Sequence, residues 1–119
     1  METEVMYYMQ ENEVCTKIMI TGNQIIFEDY KDKWYLKAFG GAKTASFDDF
    51  ISFLEERCFP KERANCKEVL KLIGLDYYDP YAIVHKTHGV MCHDNFWIKF
   101  EGENITYEET RVLVGLSSN

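Results

Sequence analysis

At 119 residues, 46% of them apolar and 28% charged, the chain has the composition of one soluble globular domain built on one hydrophobic core. Aromatic content of 15% excludes a disordered chain. No apolar run approaches a membrane span, and the start Met1-Glu2-Thr3-Glu4 lacks the positive region of a secretory signal, so a cytoplasmic protein away from the membrane is expected. The formal charge of −7 sits at the two ends: residues 1–14 carry four acids and no base, residues 76–119 seven acids against three bases, and the middle is near neutral. Such a field repels nucleic-acid phosphates and favours basic protein surfaces, so no direct nucleic-acid contact is expected. Its plainer use is to keep a small domain soluble.

Residues 1–13, rich in Glu and Met, are expected to form an acidic leader, partly disordered, ahead of a single domain over residues 14–116. Alternation over 14–20 predicts a strand, with Val14, Thr16, Ile18 and Ile20 on one face and Cys15, Lys17 and Met19 on the other. Thr21-Gly22-Asn23 is turn chemistry. Residues 24–30 and 33–39 predict two more strands, the last with Trp34, Leu36 and Ala38 alternating against Tyr35, Lys37 and Phe39, so that the three form an antiparallel meander.

The apolar period then changes. Ser46 followed by Asp49 predicts a capped helix start, with Phe47, Phe50, Ile51 and Leu54 on one face. Pro60 ends that helix. A second helix is predicted over 61–73, with Ala64, Val69, Leu70, Leu72 and Ile73 as its apolar set and Gly74 as its left-handed cap. Asp79-Pro80 opens a short third helix to about residue 86. Residues 95–100 predict a fourth strand, 101–104 a loop, and 105–113 either a strand or a short helix. Residues 117–119 are expected to fray. Strands, then helices, then a returning strand give an α+β fold: an antiparallel sheet packed by two to three short helices.

Several clusters bear on chemistry. His85-x-x-His88-x-x-x-Cys92-His93 holds four zinc-competent groups, yet its spacing matches no zinc pattern and Cys92 has no paired cysteine, so no metal or other cofactor is expected. Cys15, Cys58, Cys66 and Cys92 form no C-x-x-C pair and should be free thiols, mostly buried. A nucleophile made of Cys92 and a nearby His lacks any supporting signature. The acid pairs Asp48-Asp49, Glu55-Glu56 and Glu108-Glu109 fit solvated helix faces. Phosphate-binding loops, dinucleotide fingerprints and nucleophile elbows are missing, and no enzyme activity is expected.

Binding signals are stronger. Arg57, Lys61, Arg63, Lys67 and Lys71 form the only basic stretch, and Arg63, Lys67 and Lys71 fall four apart, along one helical face. That stripe suits an acidic partner or a phosphate backbone, or it pairs locally with Glu55, Glu56, Glu62 and Glu68, which lie among the bases. The turn Tyr77-Tyr78-Asp79-Pro80-Tyr81 is the best candidate recognition edge, because accessible aromatics anchor interfaces; some of these rings can instead pin the loop to the core.

The run Phe50-x-x-Phe53-Leu54, Pro60-x-x-Arg63, Asp79-Pro80-Tyr81-x-Ile83, Gly89 and Phe96-Trp97-Ile98-Lys99, followed by Asn104-Ile105-Thr106-Tyr107-Glu108, resembles the N-terminal module of HipA-type kinases. The likeness is to the short HipA-related proteins of Firmicutes phages and mobile elements, and it covers about half the chain. It implies a module without the kinase core, and hence a regulator or antitoxin-like protein that binds a kinase. An anti-defence inhibitor, such as an anti-CRISPR protein that occupies a nuclease with its acidic surface, is the alternative; a small zinc protein using His85, His88 and Cys92 is a third.

Overall fold

The computed structural model describes residues 2–113. Strands β1 (Thr3–Gln10), β2 (Glu13–Thr21) and β3 (Gln24–Asp29) come first, then a single 3-10 turn (Trp34–Leu36). Helices α1 (Phe47–Glu56), α2 (Cys66–Leu72) and α3 (Pro80–Thr87), strand β4 (Phe96–Phe100) and helix α4 (Tyr107–Leu113) follow. The four strands form one antiparallel sheet in the order β3-β2-β1-β4, so the fold is α+β, with a meander extended by one late strand.

The membership of the meander differs from the expectation. Residues 3–10 are no leader: they form β1, a central strand paired with both β2 and β4. Met6, Tyr8 and Met9 are buried there, and burying such side chains stabilises by roughly 1.5–3 kcal/mol each, which outweighs the Glu content read as a sign of disorder. Residues 33–39, conversely, are not a strand. The ladder ends at Tyr30, whose N–H donates to the Cys15 carbonyl at 2.8 Å. Beyond it the Ala38 N–H turns onto the Thr16 hydroxyl at 3.1 Å, and Thr16 in turn donates to Asp29 Oδ1 at 2.9 Å. Leu36, Ala38 and Phe39 still pack on the core, but from a folded connection that leaves Trp34 and Tyr35 exposed. The fraying expected for 117–119 and the domain limit at 116 lie outside the described residues.

A β-bulge corrects the faces of β2. The register shifts between Tyr8 and Met9, so that Tyr8 faces Thr16 but Met9 faces Val14. The extra residue, Cys15, breaks the alternation, and Val14 packs on the side of the sheet opposite Thr16, Ile18 and Ile20. Two cores result. On the inner face Met6, Tyr8, Ile18, Ile20, Ile25 and Ile98 meet Phe50, Phe53 and Leu54 of α1 and Ile83 and Val84 of α3. On the outer face Met9, Trp97 and Val90 pack with Ile105 and Tyr107, at the start of α4.

The helix ends follow the expected capping chemistry. Ser46 Oγ accepts from the Asp49 N–H (3.0 Å), while Asp49 Oδ2 accepts from the Ser46 N–H (2.9 Å), a reciprocal box worth about 1 kcal/mol. The Asp79 carboxylate accepts from the Tyr81 N–H (3.1 Å) ahead of Pro80 at the first helical position. The second helix is shorter than expected, beginning at Cys66, and Leu72 from its predicted apolar set is exposed. Of residues 105–113, Tyr107–Leu113 form helix rather than strand, tied to the β1–β2 turn where the Tyr107 N–H donates to Asn12 Oδ1 at 3.0 Å.

Candidate functional site

A groove of about 500 Å³ runs between α2 and the turn that precedes α3. Lys61, Arg63 and Lys67 line it together with the acids Glu68 and Asp76, the buried Leu70, and Tyr77 and Tyr78. The predicted basic stripe and the predicted aromatic turn therefore meet across one depression, although they lie apart in sequence.

The two tyrosines play different parts. Tyr77 is 70% exposed and is free to contact another molecule. Tyr78 is held: its hydroxyl donates to the Phe59 carbonyl at 2.7 Å and its ring meets Phe59 edge-on, with centroids 5.7 Å apart. Burial pushes the Tyr78 phenol up to about 12, with Cys58 and nearby acids adding to the effect, so it remains a neutral donor at physiological pH. Cys66, half-buried, lines the same groove.

The remaining candidates go elsewhere. Arg63 precedes α2, so the three bases do not share one continuous helical face; its Nε instead donates to Asn65 Oδ1 at 2.7 Å. Lys71 lies one turn beyond Lys67 on α2 and does not line the groove. Asp79 is engaged as the cap of α3. Tyr81 faces β1, where its hydroxyl donates to Glu4 Oε2; burial and that carboxylate raise its pKa. Arg57, part of the basic stretch in the sequence, is buried within the fold at 6% exposure.

The metal candidates are not brought together. His85 Nδ1 lies 2.7 Å from the Tyr81 carbonyl and its ring stacks on Phe100 at 4.3 Å, whereas His88 Nε2 bonds Glu103 Oε2 at 2.9 Å. Cys92 and His93 are exposed, with His93 Nε2 3.9 Å from Asp94 Oδ2. Among the described residues no group of three or more His, Cys, Asp or Glu side chains is placed to hold a metal ion. Of the four cysteines expected to be mostly buried, Cys15 and Cys58 are buried, Cys66 is half-buried and Cys92 is exposed.

Two further depressions have similar volumes. One, of about 600 Å³, gathers Glu2 and Glu4 from the start of the chain and Glu101 from beyond β4, beside Tyr81, His85 and Phe100. The pairing of β1 with β4 thus joins the two acidic ends of the sequence on one side of the molecule. The other, of about 500 Å³, lies under the exposed Trp34 and Tyr35. The sequence signal for this last site was the Lys33-Trp34-Tyr35 run itself, which strand-like alternation obscured. No helix among the described residues is long and apolar enough to cross a membrane. Comparison with protein-family models, curated proteins and solved structures gives no match.

Proposed function

We propose that this chain is a non-catalytic cytoplasmic module that binds another protein, and that the groove between α2 and the Tyr77 turn is its docking site. The observation that carries this is the convergence of Arg63, Lys67, Tyr77 and Tyr78 from separate segments on one depression. An exposed tyrosine supplies a large contact area at small entropic cost, and the lining bases Lys61, Arg63 and Lys67, which outnumber the lining acids Glu68 and Asp76, favour an acidic segment of the partner. The resemblance of residues 50–108 to the HipA N-terminal module favours a kinase-like partner and a regulatory, antitoxin-like role. No cofactor, direct nucleic-acid contact or membrane contact is assigned. The test is a photo-crosslinking side chain placed at Tyr77, with a control at Asn104. A single kinase-like protein trapped at position 77 alone, and lost with Lys67→Glu, is the expected result; equal trapping at both positions removes the groove from the interface.

A second reading is favoured by the acidic depression. Glu2, Glu4 and Glu101 present one sign of charge beside aromatic rings, which suits a basic partner such as a nuclease and hence an anti-defence inhibitor. Binding that weakens steeply with salt and fails on Glu101→Lys, but survives Tyr77→Ala, selects this reading over the first.

A further inference from the structure

The two margins of the sheet differ. In β4 the backbone groups pointing away from β1 belong to Phe96, Ile98 and Phe100, and nearly all are engaged. The Phe96 N–H donates to Asp94 Oδ1 (3.1 Å) and its carbonyl accepts from Arg57 Nη2 (2.8 Å). The Ile98 N–H donates to the His88 carbonyl (2.6 Å). The Phe100 N–H donates to Glu103 Oε1 (2.8 Å), and its carbonyl accepts from the Glu103 N–H (3.1 Å). That margin is closed.

The other margin is open. The Tyr30–Cys15 bond and the register running from Thr16↔Asp29 to Thr21↔Gln24 send the N–H and C=O groups of Ile25, Phe27 and Asp29 away from β2. Among the described residues no hydrogen bond reaches them. Most of the usual protection of an edge is also missing: β3 contains neither proline nor lysine, the β2–β3 register has no bulge, and its two charges, Glu28 and Asp29, are confined to its last two positions. Ile26, on the outer face of this edge, is 53% exposed.

We propose that this edge pairs antiparallel with the same edge of a second copy of the chain, joining two four-stranded sheets into one. The strand is self-complementary in one register. With a two-fold axis beside Ile26, each Ile26 faces its counterpart. Ile25 then lies opposite Phe27 of the second copy as a hydrogen-bonded pair that exchanges both N–H···O bonds, and the pairing occurs twice by symmetry. Gln24 faces Glu28 of the second copy, an amide against a carboxylate. Sliding the pairing by one step in one direction sets Ile26 against Gln24 and Phe27 against Asn23; one step in the other puts Glu28 over Ile26, and a further step sets Glu28 against Glu28, which like-charge repulsion disfavours. A parallel arrangement stacks the acids at the same end. On the outer face, Val5, Met19 and Ile26 lie in one row across the sheet. The dimer continues that row through Ile26 into the second copy. The groove at Tyr77 is lined by none of these residues, so either proposal can fail without the other.

The test is the mass of the whole chain by sedimentation and light scattering. The expected species is a dimer of the 14.0 kDa chain at concentrations of roughly 100 μM, dissociating on dilution. Ile26→Lys places two cations face to face across the axis while touching no core, and it should give a monomer that melts at the temperature of the dilute, dissociated wild type. Ile26→Cys in a Cys92→Ser background should form a disulfide-linked dimer on mild oxidation, because directly opposed side chains at such a pair lie within bridging distance. Amide exchange should slow with concentration at Ile25 and Phe27 and stay constant at Ile26 and Glu28, whose N–H groups already bond to β2. A wild-type monomer at that concentration overturns the proposal. So does a dimer that survives Ile26→Lys, or one in which Ile25 and Phe27 exchange as fast as in the monomer.

Discussion

Arg57 and Asp94, 37 residues apart, are joined by two parallel charge-assisted hydrogen bonds, Nη1 to Oδ2 at 2.9 Å and Nη2 to Oδ1 at 3.0 Å. The guanidinium also donates from Nε to the Gly89 carbonyl (3.0 Å) and from Nη2 to the Phe96 carbonyl (2.8 Å). One side chain at the end of α1 thereby fixes the turn after α3 and the start of β4. A lysine presents a point charge and cannot reach three acceptors in this planar fork.

Asp94→Ala should destabilise the fold by about 2–4 kcal/mol, because it leaves the Arg57 charge buried without its counter-ion. The estimate stays below the largest values for buried pairs since the Asp94 side chain is 23% exposed and Arg57 keeps two carbonyls. Arg57→Met, which removes the charge altogether, should cost less than Asp94→Ala. Urea midpoints at neutral pH compare them; equal stability of wild type and Asp94→Ala would show that the clasp contributes nothing net.

The same pair sets the acid limit of stability. Burial alone would raise the Asp94 carboxyl, but the Arg57 hydrogen bonds and charge, with the Phe96 N–H, hold it below its ordinary range. Its folded-state pKa is lowered, so the stabilisation is fully present above the unfolded value near ~3.9 and is lost as pH falls through the folded value. At the alkaline end the signs reverse. Burial pushes Tyr8 and Cys58 up to about 12 each, so their contribution is complete below the unfolded values and is lost as pH rises toward 12. Melting temperature against pH should be flat from about pH 5 to 8 and fall on both sides, with the acid limb shallower in Asp94→Asn.

Gly89→Ala should cost more than Gly102→Ala. Both glycines have positive φ, +63° and +89°. A Cβ on Gly89 would stand 3.1 Å from Arg57 Cβ and 3.2 Å from Ile98 Cδ1, whereas Gly102 faces open space. The backbone term alone is about 1 kcal/mol at each site; at Gly89 the clash adds to it and displaces the Arg57 clasp. Thermal unfolding of the two variants measures the difference, and equal losses would mean that the contact at Gly89 relaxes freely.

What the sequence made legible was governed by local chemistry. The Ser46–Asp49 box, the Asp79-Pro80 cap and the Gly22-Asn23 turn are each decided within a few residues, and each appears where expected. The errors concern partners distant in sequence. Whether 3–10 or 33–39 supplies the third strand of the meander depends on which can flank β2 and also receive β4, and no local period encodes that. Val14 lost its predicted face to a single bulge at Cys15. Arg57 looked like one more surface base because its partner, Asp94, is remote in sequence. At the candidate site the ingredients were legible, but their grouping was not: Tyr77 and Tyr78 join Arg63 and Lys67, while Asp79 and Tyr81 are taken up by the fold.

Removing residues 2–10 should abolish folding rather than trim a tail. It deletes the central strand, breaks the pairing of β1 with both β2 and β4, and strips Met9 and Tyr7 from the cluster that covers Trp97. Circular dichroism of the truncated chain should lose its near-ultraviolet signal. A cooperative melt in the truncated protein would place the folding unit after residue 10.

The tyrosines of the candidate groove should separate binding from stability. Tyr77→Ala removes an exposed ring and should change stability by less than about 0.5 kcal/mol, while weakening any partner that docks in the groove tenfold or more. Tyr78→Ala breaks the bond to the Phe59 carbonyl and the edge-on contact with its ring, and should cost about 2–4 kcal/mol of stability. Tyr81→Phe deletes only the hydroxyl on Glu4, and should cost about 1 kcal/mol without reaching the groove. Melting temperatures paired with partner titrations resolve the three. If Tyr81→Phe impaired binding as much as Tyr77→Ala, the interface would have to extend from the α2 groove to the acidic depression at Glu4.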